Sequence, residues 1–323
     1  MRLAVTGSIA NDYLMTFAGR FGEQLVPEQL HRLSLSFLVD ELVVRRGGVA
    51  GNIAFGMAQL GEHPILVGAV GPDFDEYRSW LERHGVDCES VHVSEVHYTA
   101  RFFCTTDEEQ CQIASFYTGA MADARNIELE PVASRVGGLD LVIVSPNDPE
   151  AMRRHTDECR QRGIPFVADP SQQLARIDAD EIEALVTGAR YLVTNDYEWA
   201  LIQSKTGWTH EELITKADIC VTTHGAAGCV IEVDGDAPMK VPAAPVGTIA
   251  DPTGVGDAFR AGFLAGQAWG VSLERSAQVG SVLASIVLEG VGTQEYSVDP
   301  AAFCARVDEA YGTAAADEVR SFL

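Results

Sequence analysis

Basic residues are scarce in this chain of 323 residues. Only 23 Lys and Arg stand against 47 Asp and Glu, for a formal net charge of −24. Nucleic-acid binding rests on clustered Lys and Arg. Here no run of them exceeds the pairs Arg45–Arg46 and Arg153–Arg154. A phosphate-backbone partner is excluded, and a self-repelling, soluble protein is expected. Cysteine pairs are lacking as well. The seven present (Cys88, Cys104, Cys111, Cys159, Cys220, Cys229 and Cys304) are scattered, odd in number and include no Cys-x-x-Cys. That excludes a cysteine metal cluster and points to free thiols in a reducing, cytoplasmic setting. His63, His155 and His224 have no metal-partner spacing either, which argues against a metal-dependent hydrolase. No apolar run approaches the ~20 residues that a membrane span needs. The opening MRLAVTGSIAND turns polar too early for a signal peptide.

What is present reads as α/β. RLAVTG is a strand ending at Gly7, with Ser8 and Asp12 in the polar stretch that follows it. From residue 139 short apolar strands alternate with helices: LDLVIVS, IPFVAD, RYLVTN and ADICVTTHG are the strands. Such alternation means a mostly parallel sheet covered by helices on both faces. Two β-rich pieces, about 13–46 and 97–118, stand apart from that pattern. The first includes LSLSFLVDELVV, and the second is a hairpin of YTARFFCTT and QIASFYTG around an acidic turn. They are expected to join as a small lid on one α/β domain spanning 1–323. In such folds ligands bind at the carboxyl ends of the strands.

The stretch DPTGVGDAFRAGF, 251–263, puts Asp257 directly after Gly254 and Gly256 at a helix start. A glycine turn before a helix is an anion site, because first-turn N–H groups lack partners and carry partial positive charge. Asp257 can be a simple first-turn carboxylate. A cap does not need two glycines, however, and a plain anion site avoids a carboxylate. A reaction explains both: Asp257 takes a proton from an attacking hydroxyl while the Gly254–Gly256 amides stabilise growing negative charge. Phosphoryl transfer fits, since its catalysis is mostly positioning and charge stabilisation.

The chain has no Walker motif to cradle a nucleotide. TTHGAAG, 222–228, offers Thr223, Gly225 and Gly228 at a strand end, or only a turn between two strands. NDYE, 195–198, spaces Asn195 and Glu198 on one side of a helical first turn. Such a pair can organise Mg2+ and its waters, or merely cap the helix.

Together these stretches resemble the ribokinase-like (PfkB) carbohydrate and nucleoside kinases. GGVAGNIAFGMAQLG resembles their first signature, DPTGVGDAFRAGF their second, NDYE their N-x-x-E, and TTHGAAG their nucleotide loop, in family order along nearly the whole chain. Pro252 departs from the usual Thr and removes one N–H. GSIANDYLM, LSLSFLVDELVVRRGGVAGN, ADPSQQLARI and TNDYEW are most similar to the bacterial, actinobacterial-type adenosine kinases.

The resemblance implies a ribokinase-like fold and ATP-dependent phosphorylation of the adenosine 5′-hydroxyl, a purine-salvage reaction, with Mg2+. It implies ribose contacts from Asp12, Gly48 and Asn52, with Ser8 and Ser36 lining that pocket. Phe102 and Phe116 are expected to sandwich the base, and Gln172 and Gln173 to meet its edge. Asp251 and Thr253 match the positions of a monovalent cation, possible K+ activation. A homodimer through the lid strands is also expected. A ribose or fructose kinase of the same family stays open, as do inosine or guanosine as substrate. A nucleoside-binding sensor without turnover is the more distant reading.

Overall fold

The computed structural model describes residues 1–24 and 36–323. The main sheet has eight strands. Their order is Met239–Val241, Cys229–Glu232, Ala217–Thr223, Ala189–Asn195, Phe166–Ala168, Leu141–Val144, Leu3–Thr6 and Ile65–Val67. From Ile65–Val67 across to Ala217–Thr223 the strands run parallel. The last two, which the alternation did not predict, are antiparallel. Every residue of Leu3–Thr6, Leu141–Val144 and Phe166–Ala168 is buried, as strands covered on both faces require.

Alternate residues feed two cores. Leu3, Val5, Leu141 and Ile143 join the helices Val49–Gln59, Val255–Trp269 and Leu273–Glu289 on one face. Ala4, Val142 and Val144 join Pro149–Arg162, Ala179–Val186 and Asp196–Thr206 on the other. The helix starts follow local chemistry. Asp148 caps Pro149–Arg162, whose first position is Pro, and Gly163 closes it in the left-handed conformation. Among the described residues no helix is long and apolar enough to cross a membrane.

A second, small sheet has four strands, in the order Glu41–Gly47, Ala10–Thr16, Ala100–Thr106 and Gln112–Tyr117, and holds both pieces expected to form the lid. The predicted hairpin is present, with Phe102 opposite Phe116. Two expectations change. Residues 10–16 are a lid strand, so the lid begins before residue 13 and Asp12 is a mid-strand residue. Of LSLSFLVDELVV, residues 33–35 lie outside the described residues. Ser36–Val39 is irregular, and the strand starts only at Glu41. The apolar residues of that irregular stretch are mostly exposed, Leu38 and Val39 among them, and pair with no strand.

Candidate active site

The helix Val255–Trp269 opens without a capping side chain. Gly254 stands at its N-cap with φ 76°, and a Cβ there would lie 2.8 Å from Thr293 Cγ2. Only glycine tolerates both. Among the described residues the backbone N–H groups of Gly256 and Asp257 have no hydrogen-bond partner. These orphan donors form an anion-binding end. Asp257 sits among them, half-buried.

The helix Val49–Gln59 packs against this one, with Gly56 against the Ala261 methyl. One turn earlier on each helix, Asn52 Nδ2 donates to Asp257 Oδ2 at 2.8 Å. Burial pushes the Asp257 carboxyl up to about 6; the Asn52 hydrogen bond and the Arg260 charge oppose this, and Glu198 adds to it. Asn52 is thus committed to Asp257, a partner its expected ribose role did not include.

Gly48 precedes this helix with φ 85°; a Cβ there would lie 2.6 Å from the Ser8 carbonyl oxygen. Ser8 Oγ accepts from the Val49 N–H at 3.0 Å. Asp12 reaches the same place from the lid. Its carboxyl is pushed up to about 6 by burial, then by the charges of Glu295 and Asp257. Strand register sets Arg45, Asp12, Phe102 and Phe116 in one row. Directly opposed residues share a face. Within one chain the two Phe rings therefore form a single wall beside Asp12, not the two sides of a sandwich. Ser36 is exposed, and no hydrogen bond joins it to this cluster.

The nucleotide-side residues lie along the carboxyl ends of neighbouring strands. Asn195 is in register with Thr223. Asn195 and Glu198 form a complete capping box, so the bland reading of NDYE is realised. Glu198 Oε1 still accepts only the Ser171 hydroxyl, at 3.2 Å. Among the described residues no cluster of three metal-ligating side chains occurs. With Oε1 lightly used, Glu198 has lone pairs that a cation's water shell could reach. TTHGAAG is a tight connection between antiparallel strands, with His224 N–H on the Gly228 carbonyl and Gly225 exposed.

Asp251 takes the Thr253 and Gly292 N–H groups on its two oxygens, at 2.9 and 3.1 Å. These bonds and the Arg45 charge hold its carboxyl below the usual range, against burial, which is the largest influence. An ionised carboxylate there fits a monovalent cation through its remaining lone pairs. Gln172 is exposed. Gln173 is buried, donating to the Asn147 carbonyl at 2.7 Å while its own Oε1 lacks a partner.

Two further residues are central to the electrostatics, and one of them, Arg260, was not singled out from the sequence. Arg260, one turn after Asp257 and 6 % exposed, contacts Asp169 at 2.6 Å and Glu198 at 3.6 Å. Asp169, fully buried, is pushed up to about 7 by burial, against the pull of Arg260. An arginine inside the apolar run AFRAGFLAG was the available signal.

The profile of the pfkB family of carbohydrate kinases matches residues 17–300. The nucleoside kinase of Burkholderia thailandensis, solved with inosine, superposes with a TM-score of 0.81 at 34% identity, covering 96% of this chain and 98% of that one. The nucleoside kinase of Methanothermobacter thermautotrophicus is 33% identical over 251 residues, 77% of this chain and 80% of its own. The ATP-dependent ribose-1-phosphate kinase of Halopiger xanaduensis is 29% identical over 222 residues, 68% and 72% of the two chains. With a ribokinase-like sheet, an uncapped glycine-led helix bearing Asp257, and a family match over most of its length, this chain belongs to the pfkB family of carbohydrate kinases.

Proposed function

We propose that this protein is a nucleoside kinase that transfers the γ-phosphoryl group of ATP to the 5′-hydroxyl of adenosine. The observation that carries the reading is the placement of Asp257 among the free amides of an uncapped helix, bonded to Asn52 and facing Asp12 of the lid. The similarity to two nucleoside kinases, one solved with inosine, supports a nucleoside over a free sugar. Adenosine in particular rests on the finer motif resemblance.

In this reading Asp12, Gly48 and Asn52 hold the ribose, with Ser8 beside them and Ser36 joining on lid closure. Phe102 and Phe116 lay an aromatic wall under the base. Gln172 and Gln173 approach its edge. The Asp257 carboxylate removes the proton of the 5′-hydroxyl. The oxygen forms its bond to the γ-phosphorus, and the bond from that phosphorus to the β–γ bridging oxygen breaks. ADP leaves with the electron pair, and AMP remains. The Gly254–Gly256 amides stabilise charge on the transferring group. Thr223, Gly225 and Gly228 border the nucleotide. Asn195 and Glu198 would hold Mg2+ through water, where it would supply positive charge to the phosphates. Asp251 and Thr253 would hold K+.

Phe102→Ala is expected to raise KM for the nucleoside well above any change in KM for ATP, since base–aromatic stacking contributes ~1–3 kcal/mol. Steady-state kinetics with each substrate varied checks this. Equal effects on both would place Phe102 away from the base.

The outer lid face is apolar: Leu42 (55 %), Val44 (52 %) and Ile113 (45 %) are exposed there. An exposed apolar face of this kind supports the homodimer through the lid strands. The seven cysteines are all free thiols, in keeping with a cytoplasmic enzyme.

A further inference from the structure

Three consecutive residues at the end of a lid strand, Arg45, Arg46 and Gly47, are tied to the loop that follows the helix Leu273–Glu289. Arg45 Nη1 donates to the Val291 carbonyl at 2.6 Å. Thr293 Oγ1 donates to the Arg46 carbonyl at 2.9 Å. The Gly47 carbonyl accepts from the Tyr77 hydroxyl at 2.9 Å, and that hydroxyl accepts from Gln294 Nε2 at 2.5 Å. The same Nε2 donates to Asn52 Oδ1 at 3.0 Å. Asn52 Nδ2 in turn donates to Asp257 Oδ2 at 2.8 Å.

The direction of each bond is dictated from the Gly47 end. A carbonyl only accepts, so Tyr77 donates to it. The Tyr77 oxygen then accepts, so Gln294 turns its NH2 toward Tyr77 and spends the second hydrogen on Asn52 Oδ1. Asn52 is left with its own NH2 facing Asp257. Tyr77, Asn52 and Gln294 are all buried, so water does not compete for these bonds.

We propose that Gln294, oriented by Tyr77, is a positioning residue that fixes the Asn52 amide donor-first toward Asp257 and ties that orientation to the end of the lid strand. A donor on a carboxylate favours its ionised form, the form a general base needs. The inference rests on Asp257 as the base. The titratable groups around Asp257 are Arg260 on its own helix, Glu198 and Asp169 from the strand ends, Asp12 from the lid, and Tyr296 beyond the loop. Gln294 touches none of these, so a neutral substitution there acts on Asp257 through Asn52.

The test is the titration of the Asp257 carboxyl by 13C NMR in the full-length protein, its resonance assigned by its loss in Asp257→Asn. It needs no substrate. In Gln294→Glu the new carboxylate accepts the Asn52 NH2, so Asn52 presents its oxygen to Asp257. The titration of Asp257 is then expected to move up by about one pH unit or more, from the turned amide and the added charge together, so the neutral variant carries the decision. Gln294→Leu, which leaves Asn52 free to turn, moves it by less in the same direction. Thr293→Val removes the neighbouring bond and leaves the amide chain, so Asp257 titrates as in the wild type. The acid limb of kcat moves in parallel.

If Asp257 titrates at one pH in all these folded proteins, the positioning role is overturned. Should Gln294→Glu not fold, the shift or its absence in Gln294→Leu decides alone. If the NMR shift holds while no nucleoside is phosphorylated, the positioning role stands and the proposed function fails.

Discussion

Asp257→Asn is expected to lower kcat by at least ~10²-fold, the smaller end of what general-base help contributes, and to leave nucleoside affinity near the wild-type value. The Asn side chain keeps the shape and the contact with Asn52 but cannot take the hydroxyl proton. Binding rests on the ribose and base contacts, which are untouched. In the wild type, activity should fall as pH drops through about 6, where burial has brought the Asp257 carboxyl. For stability the sign is reversed. The folded state holds this proton more tightly than the unfolded chain, so the group costs stability as pH rises from its ordinary value of 3.8 to about 6. Stopped or steady-state turnover and a nucleoside titration on the same variant check the two parts. Undiminished turnover would remove Asp257 from the chemistry.

Arg260→Met is expected to destabilise the protein by about 3–5 kcal/mol, the cost of leaving one partner of a buried ion pair alone. The guanidinium lies between Asp169 and Glu198, at 2.6 and 3.6 Å, and both carboxylates are buried. Methionine fills much of the volume but supplies no charge. The loss should depend on pH in a definite direction. Asp169 already holds its proton more tightly in the folded state, at about 7. Without Arg260 it holds it more tightly still, so the variant regains stability as pH falls and Asp169 is protonated. Denaturation at pH 5 and pH 8 measures both the size and the slope. A variant as stable as the wild type at both would show that the pair does not hold this region together.

The carboxyl-end residues were legible because each follows a short apolar strand and carries local chemistry: the glycines before Asp257, the spacing of Asn195 and Glu198. The parallel sheet was legible for the same reason, as buried strands read as continuous apolar runs. The strand at Ala10–Thr16 was not, because ANDYLMT mixes polar and apolar residues on both of its faces, so it shows no alternation, and it follows a buried strand closely. Asn52 was assigned to ribose, and its bond to Gln294 spans 242 residues with no local pattern to announce it. Phe102 and Phe116 were singled out from the sequence, but their geometry depends on register, which places them side by side.

The central claim is that a nucleoside, not a free sugar, carries the hydroxyl that Asp257 activates. The most direct measurement is ATP- and Mg2+-dependent turnover, in a coupled assay, on adenosine, inosine, ribose and fructose in parallel. The account predicts nucleoside turnover far above that of the sugars, with adenosine first. Phosphorylation of ribose or fructose with both nucleosides idle would contradict it, leaving Asp257 as a base but removing the purine pocket.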